Sequence, residues 1–397
     1  MTVREERSVK DATGVSLFSF FAGSGIMDLA FEEAGYEVVY VNEYDTSFLA
    51  AYQYARVQIG IRPPRYGYDN VDIRMILNDR SALEEHMRLE RDRGRIVGFI
   101  GGPPCPDFSV AGKNRGIDGV NGQLTAIFFE LITKCEPDFF IFENVRGLVK
   151  TAKHKSFYNE QKRKIKEKFL IDDRLLNSLE YGVPQSRARV ILIGVFRYLG
   201  QGSLQKDCVI TRDGEKELHF DWDARKLYRL DNIASCSWPT TQPFVENSKR
   251  YFVYDKEYRS LTVDYWFKKN DVVNHPNGKD CFLVKGGRAK IESIQEGDVS
   301  RKSFKRLHRH RYSPTAAYGN NEVHLHPYKA RRLSVAEVMA IQSLPASFEL
   351  PAEMTLSKKF KTIGNGVPYL MARAIALTLR DLLCIRGGGD GSKTIDI

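Results

Sequence analysis

The chain has 397 residues, 42% hydrophobic and 28% charged, enough for a large globular unit plus a smaller one, which excludes wholesale disorder. A formal net charge of +10 and a pI near 9.1 point to a polyanionic partner, nucleic acid first. No apolar run approaches the roughly 18 residues of a membrane span, the N-terminus lacks a signal-peptide core, and the six scattered cysteines form neither a disulfide scaffold nor a metal-binding pair. A protein of the reducing cytoplasm, with no membrane and no metal, is expected.

Val15–Phe20 reads as a strand, followed by a glycine turn and a helix from about Ile26 to Ala34. Val38–Val41 is a second strand and Ile96–Ile100 a later one, leading to a helix from about Gly122 to Cys135. Phe139–Phe142 is the next strand, and Val190–Val195 follows a turn at Tyr181-Gly182-Val183-Pro184. Short apolar runs alternating with helical stretches predict a parallel α/β sheet. From Gly200 to about Arg331 the helical period fades, and positions 201–331 hold 24 Lys/Arg against 17 Asp/Glu. The densest part, Arg301 to Arg311, has no acid, and its interleaved Phe304 and Leu307 suggest folding against a surface. Ser334 and Glu337 form a capping box opening a helix to about Ser343. A final helix is expected over Val367–Leu383, before a Gly-rich, mobile tail. The expected units are 12–200, 201–331, a returning segment 332–385, and the tail 386–397.

The most informative stretch is Gly102-Pro103-Pro104-Cys105. Two prolines carry the chain stiffly off the Ile96–Ile100 strand, so the Cys105 thiol stands at a strand's carboxyl end, where α/β sheets place their chemistry. Such a cysteine is a nucleophile or a buried filler. Phe21-Ala22-Gly23-Ser24-Gly25 lies between strand and helix, with Glu43 about 20 residues past the glycines, as for a nucleoside cofactor whose ribose needs an acid. Asp28 replaces the third glycine of a dinucleotide fingerprint, which favours a ligand without a pyrophosphate. Glu143 ends a strand and would stand beside the Cys105 loop if those strands are neighbours; a capping role is the alternative. Arg187 and Arg189 share one face of an extended chain and suit an anion.

In chain order these blocks, with Tyr181 to Arg189, Arg332-Leu333-Ser334 and Gly364-Asn365-Gly366-Val367-Pro368, resemble the DNA cytosine-5 methyltransferase family of bacterial restriction–modification systems. The resemblance covers about 15–200 and 330–383. It implies a Rossmann-like, S-adenosylmethionine-dependent methyltransferase sheet with a smaller, irregular target-recognition domain at 201–331. Cys105 would be the nucleophile at C6 of cytosine, Glu143 the acid at N3, Arg189 the contact to the ring oxygen, and Arg187 a support for that pocket. The implied cofactor set is Phe21, Ala22, Gly23, Gly25, Glu43, Asp72, Ile73, Pro104, Leu124, Asn365 and Val367. Contacts to duplex DNA fall to Ser109, Gln185, Arg301, Lys302, Lys305 and Arg306. The chain departs from the family's usual pattern at Pro106, where Gln is common, at Ile26, where a glycine is usual, and at Gly366, where alanine is common.

The implied activity is sequence-specific methylation of a flipped cytosine, protecting host DNA beside a cognate endonuclease, by a monomer associated with the nucleoid. An RNA cytosine-5 methyltransferase and a catalytically silent DNA-binding relative are the alternatives. The large basic segment argues against the first, and the intact Cys105, Glu143 and Arg189 against the second.

Overall fold

Seven strands form the central sheet in the order β3-β2-β1-β4-β5-β8-β6. The structure, a computed structural model, describes residues 14–104, 120–199, 204, 208–212, 215–249, 255–283, 287–315 and 323–383. Cys105, Ser109 and the tail therefore lie outside the described residues.

The run β1 (Val15–Phe20), α1 (Ile26–Glu33), β2 (Glu37–Asn42), α2 (Thr46–Ile59) and β3 (Tyr68–Asp69) builds one half of the sheet. After α3 (Ile73–Asn78) and α4 (Ser81–Asp92), β4 (Ile96–Gly101) returns to pair with β1, and α5 (Val120–Cys135) leads to β5 (Phe139–Val145) beside it. All six residues of β1 are buried, as befits a strand covered on both faces. The alternation is visible in β5: Phe139 and Ile141 enter one core, Phe140 and Phe142 the other. Each such aromatic contributes roughly 1.5–3 kcal/mol when fully buried.

The sheet is not all parallel. After α6 (Gly147–Lys150), α7 (Ala152–Ile165) and β6 (Phe169–Asn177), the chain makes a short 3-10 turn, passes β7 (Gln185–Ser186), and enters β8 (Ala188–Phe196), which lies antiparallel to both β5 and β6. The link from Asn177 to Ala188 holds no crossover helix, and without one two strands cannot run parallel.

Beyond the sheet the elements are short: β9 (Val209–Arg212), β10 (Glu215–Leu218), α8 (Leu230–Ser235), α9 (Val263–Lys269), α10 (Arg288–Glu292), β11 (Lys305–Arg306), β12 (Ser313–Pro314) and β13 (His324–Leu325). Trp266, Phe267 and Leu307 nevertheless share a core with Leu333–Leu350, so the irregular segment packs continuously with the returning one. That returning part is α11 (Val335–Ile341), α12 (Leu356–Asn365) and α13 (Tyr369–Leu382). The Ser334–Glu337 capping box is present. The final helix expected over Val367–Leu383 is α13, Tyr369–Leu382, and it opens after Pro368, which has no N–H to give. No helix among the described residues is long and apolar enough to cross a membrane.

Candidate active site

The carboxyl ends of β2, β1, β4 and β5 lie side by side, and they bring the sequence motifs to one edge. The glycine loop leaves β1 with Phe21, Gly23 and Gly25 all at positive φ, 53°, 59° and 77°. Gly25 is sterically required: a Cβ there would lie 2.5 Å from the Tyr52 ring. Arg56 on α2 donates to the Gly25 carbonyl at 3.1 Å, stacks on Tyr52 and pairs with Glu32 at 2.8 Å. Beneath them Asp28 accepts from Ser19 and Tyr52. These buried groups clamp the loop from below.

Glu43 stands just past the end of β2. Its Oε2 accepts from Gly23 N at 2.8 Å and its Oε1 from Asp45 N at 2.7 Å, so it ties the glycine loop to the start of α2. Burial pushes its pKa up, against the pull of those N–H donors. Asn42 donates to the carbonyls of Asp69 and Val71, which draws the Asp72 turn to the same rim. Asp72 itself caps α3 by accepting from Arg74 N at 2.9 Å, and Ile73 behind it is buried. Phe21 packs edge-on against Phe128, with Leu124 partly buried in the same cluster. Ala22 and Pro104 are partly exposed.

The acid and the arginines meet as the sequence expects. β4 and β5 are neighbours, and a Cβ on Gly102 would lie 2.7 Å from Glu143 Oε2, so the loop before Cys105 passes directly over this carboxyl. Arg189 Nε pairs with Glu143 Oε1 at 2.8 Å, both side chains 9% exposed. Burial raises the Glu143 pKa, opposed by Arg189 and then Arg187. Next to it, Asn144 reaches the Pro103 carbonyl at 3.5 Å. Arg187 does a second job: its Nη2 donates to the carbonyls of Gly364 at 2.6 Å and Gly366 at 3.2 Å.

That bond delivers the end of α12 to the glycine loop. Val367 is buried and Asn365 exposed, and Thr362 Oγ1 is the nearest atom to a Cβ placed on Gly23, at 3.8 Å. A Cβ on Gly366 would come 2.5 Å from Ile26 Cδ1. The departures at 26 and 366 thus occupy one contact: the larger side chain on one partner is matched by its absence on the other.

The basic run needs correction. Arg306 is completely buried, and its guanidinium donates to the carbonyls of Ile291, Ile294, His326 and Lys329 while lying 3.8 Å from the Phe244 ring centroid. It holds chain, and offers nothing to a phosphate. Arg309 is likewise buried, doubly bonded to Glu296. Arg301 is exposed but paired with Asp298, Lys302 is exposed, and Lys305 partly so. Gln185 is also buried rather than at the surface, its amide 3.2 Å from Gln342. Arg306→Ala is expected to strand four carbonyls, at about 1–3 kcal/mol each if they stay buried, and to lower the melting temperature sharply in thermal denaturation; a stable variant with only weaker DNA binding would return Arg306 to the phosphate-contacting set.

Sequence reading missed Tyr52 and Arg56, which act 27 and 31 positions from Gly25 with no local pattern to mark them. It also passed over Tyr44, 71% exposed directly after Glu43.

A mostly parallel sheet thus gathers the glycine loop, Glu43 and the buried Glu143–Arg189 pair at one edge, the last beneath Gly102. The chain belongs to the C-5 cytosine-specific DNA methylase family, whose model matches residues 15–381, and is an enzyme of that class. It is 47% identical to the Type II methyltransferase M.NmeDI of Neisseria meningitidis serogroup C, over 96% of this chain and 86% of that protein. It is 26% identical to the Type II methyltransferase M.FnuDI of Fusobacterium nucleatum, over 92% and 96% of the two chains. A crystal structure of a prophage-encoded E. coli protein shares the fold, with a TM-score of 0.60 and 21% identity over 94% of this chain and all of that one.

Proposed function

We propose that the protein transfers a methyl group from S-adenosylmethionine to C5 of a cytosine flipped out of duplex DNA, at a specific sequence, and protects that DNA within a restriction–modification system. The buried Glu143–Arg189 pair beneath Gly102 is the observation that carries this reading.

The residues at the glycine loop fit the cofactor. Ser24 and Thr362 keep buried hydroxyl oxygens there with no partner among the described residues, and Glu43 has acceptor capacity beyond its two N–H bonds. Phe21 and Tyr44 offer ring faces to an adenine, Glu43 suits a ribose diol, and Asp72–Ile73, Pro104, Leu124 and Asn365–Val367 border the same space. When bound, S-adenosylmethionine supplies an electrophilic methyl group.

C5 of cytosine is a poor nucleophile. The Cys105 thiolate adds to C6, and the ring electrons move toward N3 and the ring oxygen. The Glu143 carboxyl, whose pKa burial raises, donates to N3, and Arg189 stabilises the oxygen while fixing that carboxyl's orientation. With S-adenosylmethionine bound, the enamine carbon C5 would take the methyl group that its sulfonium supplies, leaving S-adenosylhomocysteine. Loss of the C5 proton to solvent and return of the N3 proton to Glu143 then restore the ring and expel Cys105 as thiolate.

Gly366→Ala is expected to press on Ile26 and the glycine loop and weaken S-adenosylmethionine binding about tenfold, the scale of 1–3 kcal/mol of overpacking. Ile26→Ala in the same chain should restore most of it. Calorimetric titration of the two single variants and the pair reads this; additive losses would separate the two positions.

The function itself is tested by incubating the protein with labelled S-adenosylmethionine and a duplex library, then bisulfite sequencing. Label at C5 of one cytosine in one sequence supports the reading. Label in RNA alone, or none, ends it.

A further inference from the structure

The catalytic edge runs on into a basic stretch that the active site does not use. Arg146 to Lys168 holds nine Lys/Arg against Glu160 and Glu167. In its second half Arg163 is exposed without an ion pair among the described residues, but the other four of the five cations are paired: Lys162 with Asp173, Lys164 with Glu160, Lys166 with Glu217 and Lys168 with Glu136. Three cations of its first half are not. Arg146, Lys150 and Lys155 are exposed, and none forms an ion pair among the described residues.

Their position follows from the chain. Arg146 is the third residue past Glu143, so their Cα atoms lie at most about 11 Å apart. Lys150 ends α6, roughly 6 Å further along the helix axis, and Lys155 is on the first turn or so of α7. The apolar side of α7, with Phe157, Tyr158 and Ile165, is buried in the core, which fixes this helix rigidly to the sheet. The run at 301–311, by contrast, spends Arg306 and Arg309 internally.

We propose that Arg146, Lys150 and Lys155 form a phosphate-contacting face for one flank of the duplex whose flipped base reaches Glu143. The proposal rests on the DNA reading above and deepens it. Unpaired, exposed cations at a rigid edge attract a polyanion without reading sequence, so this face holds the duplex in register and the irregular segment is left to discriminate.

The test compares wild type with the triple variant Arg146→Ala/Lys150→Ala/Lys155→Ala, and with Lys150→Ala alone, on a cognate and an unrelated duplex of equal length between 50 and 200 mM salt. Three lost phosphate contacts should reduce the slope of log affinity against log salt by about 2.7, and one by about 0.9. Over that salt range the advantage of wild type over the triple variant should then shrink about 40-fold, equally for both duplexes. The charge-preserving pair Lys150→Arg/Lys155→Arg should keep the wild-type slope. An unchanged slope in the triple variant, or a loss confined to the cognate duplex, overturns the proposal. Methyl incorporation by wild type is scored separately, so failure of the enzymatic reading and failure of this face are told apart.

Discussion

Glu143→Gln should lower kcat by about 10²–10⁴-fold, the usual worth of a positioned general acid, while DNA affinity changes far less. The amide keeps the size of the carboxyl and can still meet Arg189, so the pocket survives; what is lost is a transferable proton. The sign of the pH effect follows from burial. The Glu143 pKa lies above the ordinary carboxylate value, and the donating form is the protonated one, so wild-type kcat falls as pH rises through that raised pKa. The variant should lose this limb of the profile. Equal losses in turnover and in DNA affinity would make Glu143 a structural residue.

Cys105→Ser should abolish methyl transfer, by about 10³-fold or more, the scale on which loss of a covalent nucleophile registers. Binding of S-adenosylmethionine should persist, since the pocket proposed for it lies at the β1, β2 and α12 ends. A hydroxyl is far less acidic than a thiol and reaches no useful population of its anion near neutral pH. A duplex with 5-fluorocytosine in the recognition site provides a second readout, because fluorine at C5 cannot leave as a proton does. Wild type with methyl donor should give a covalent species on a denaturing gel; Cys105→Ser should give none. Near-wild-type turnover in the serine variant would remove Cys105 from the mechanism.

The motifs at strand ends were legible because they are local. Gly23 and Gly25, Glu43, Gly102 to Pro104 and Glu143 each follow an apolar run, Arg189 opens one, and adjacency of the runs brings them together. Helices α2, α4 and α7 were not legible. In α4 the buried face carries only Leu83 and Met87 as apolar residues, beside Glu90, and in α7 it includes His154 amid lysines, so apolar runs mark neither helix. The direction of β8 was hidden for another reason: an apolar strand reads the same in both senses, and only the missing crossover betrays it. Charge was the least transferable signal. The run Arg301 to Arg311 looked like a surface in one dimension, yet Arg306 and Arg309 face inward to carbonyls and Glu296, where each buried donor has its acceptor. The unpaired cations near Glu143 were overlooked because they are spread over ten positions.

The chain's two ends are interlocked. Tyr36 donates to the Ala376 carbonyl, Arg380 to that of Ala34, and Ile26 rests against Gly366. A ribosome builds from one end only, at about 5–20 residues per second. The earlier-made loop therefore waits some tens of seconds for its counterpart about 340 residues later, and a polypeptide stopped between them has the motifs without these contacts. In a cell that carries a matching nuclease, modification capacity arrives with whole molecules, never with fragments of them.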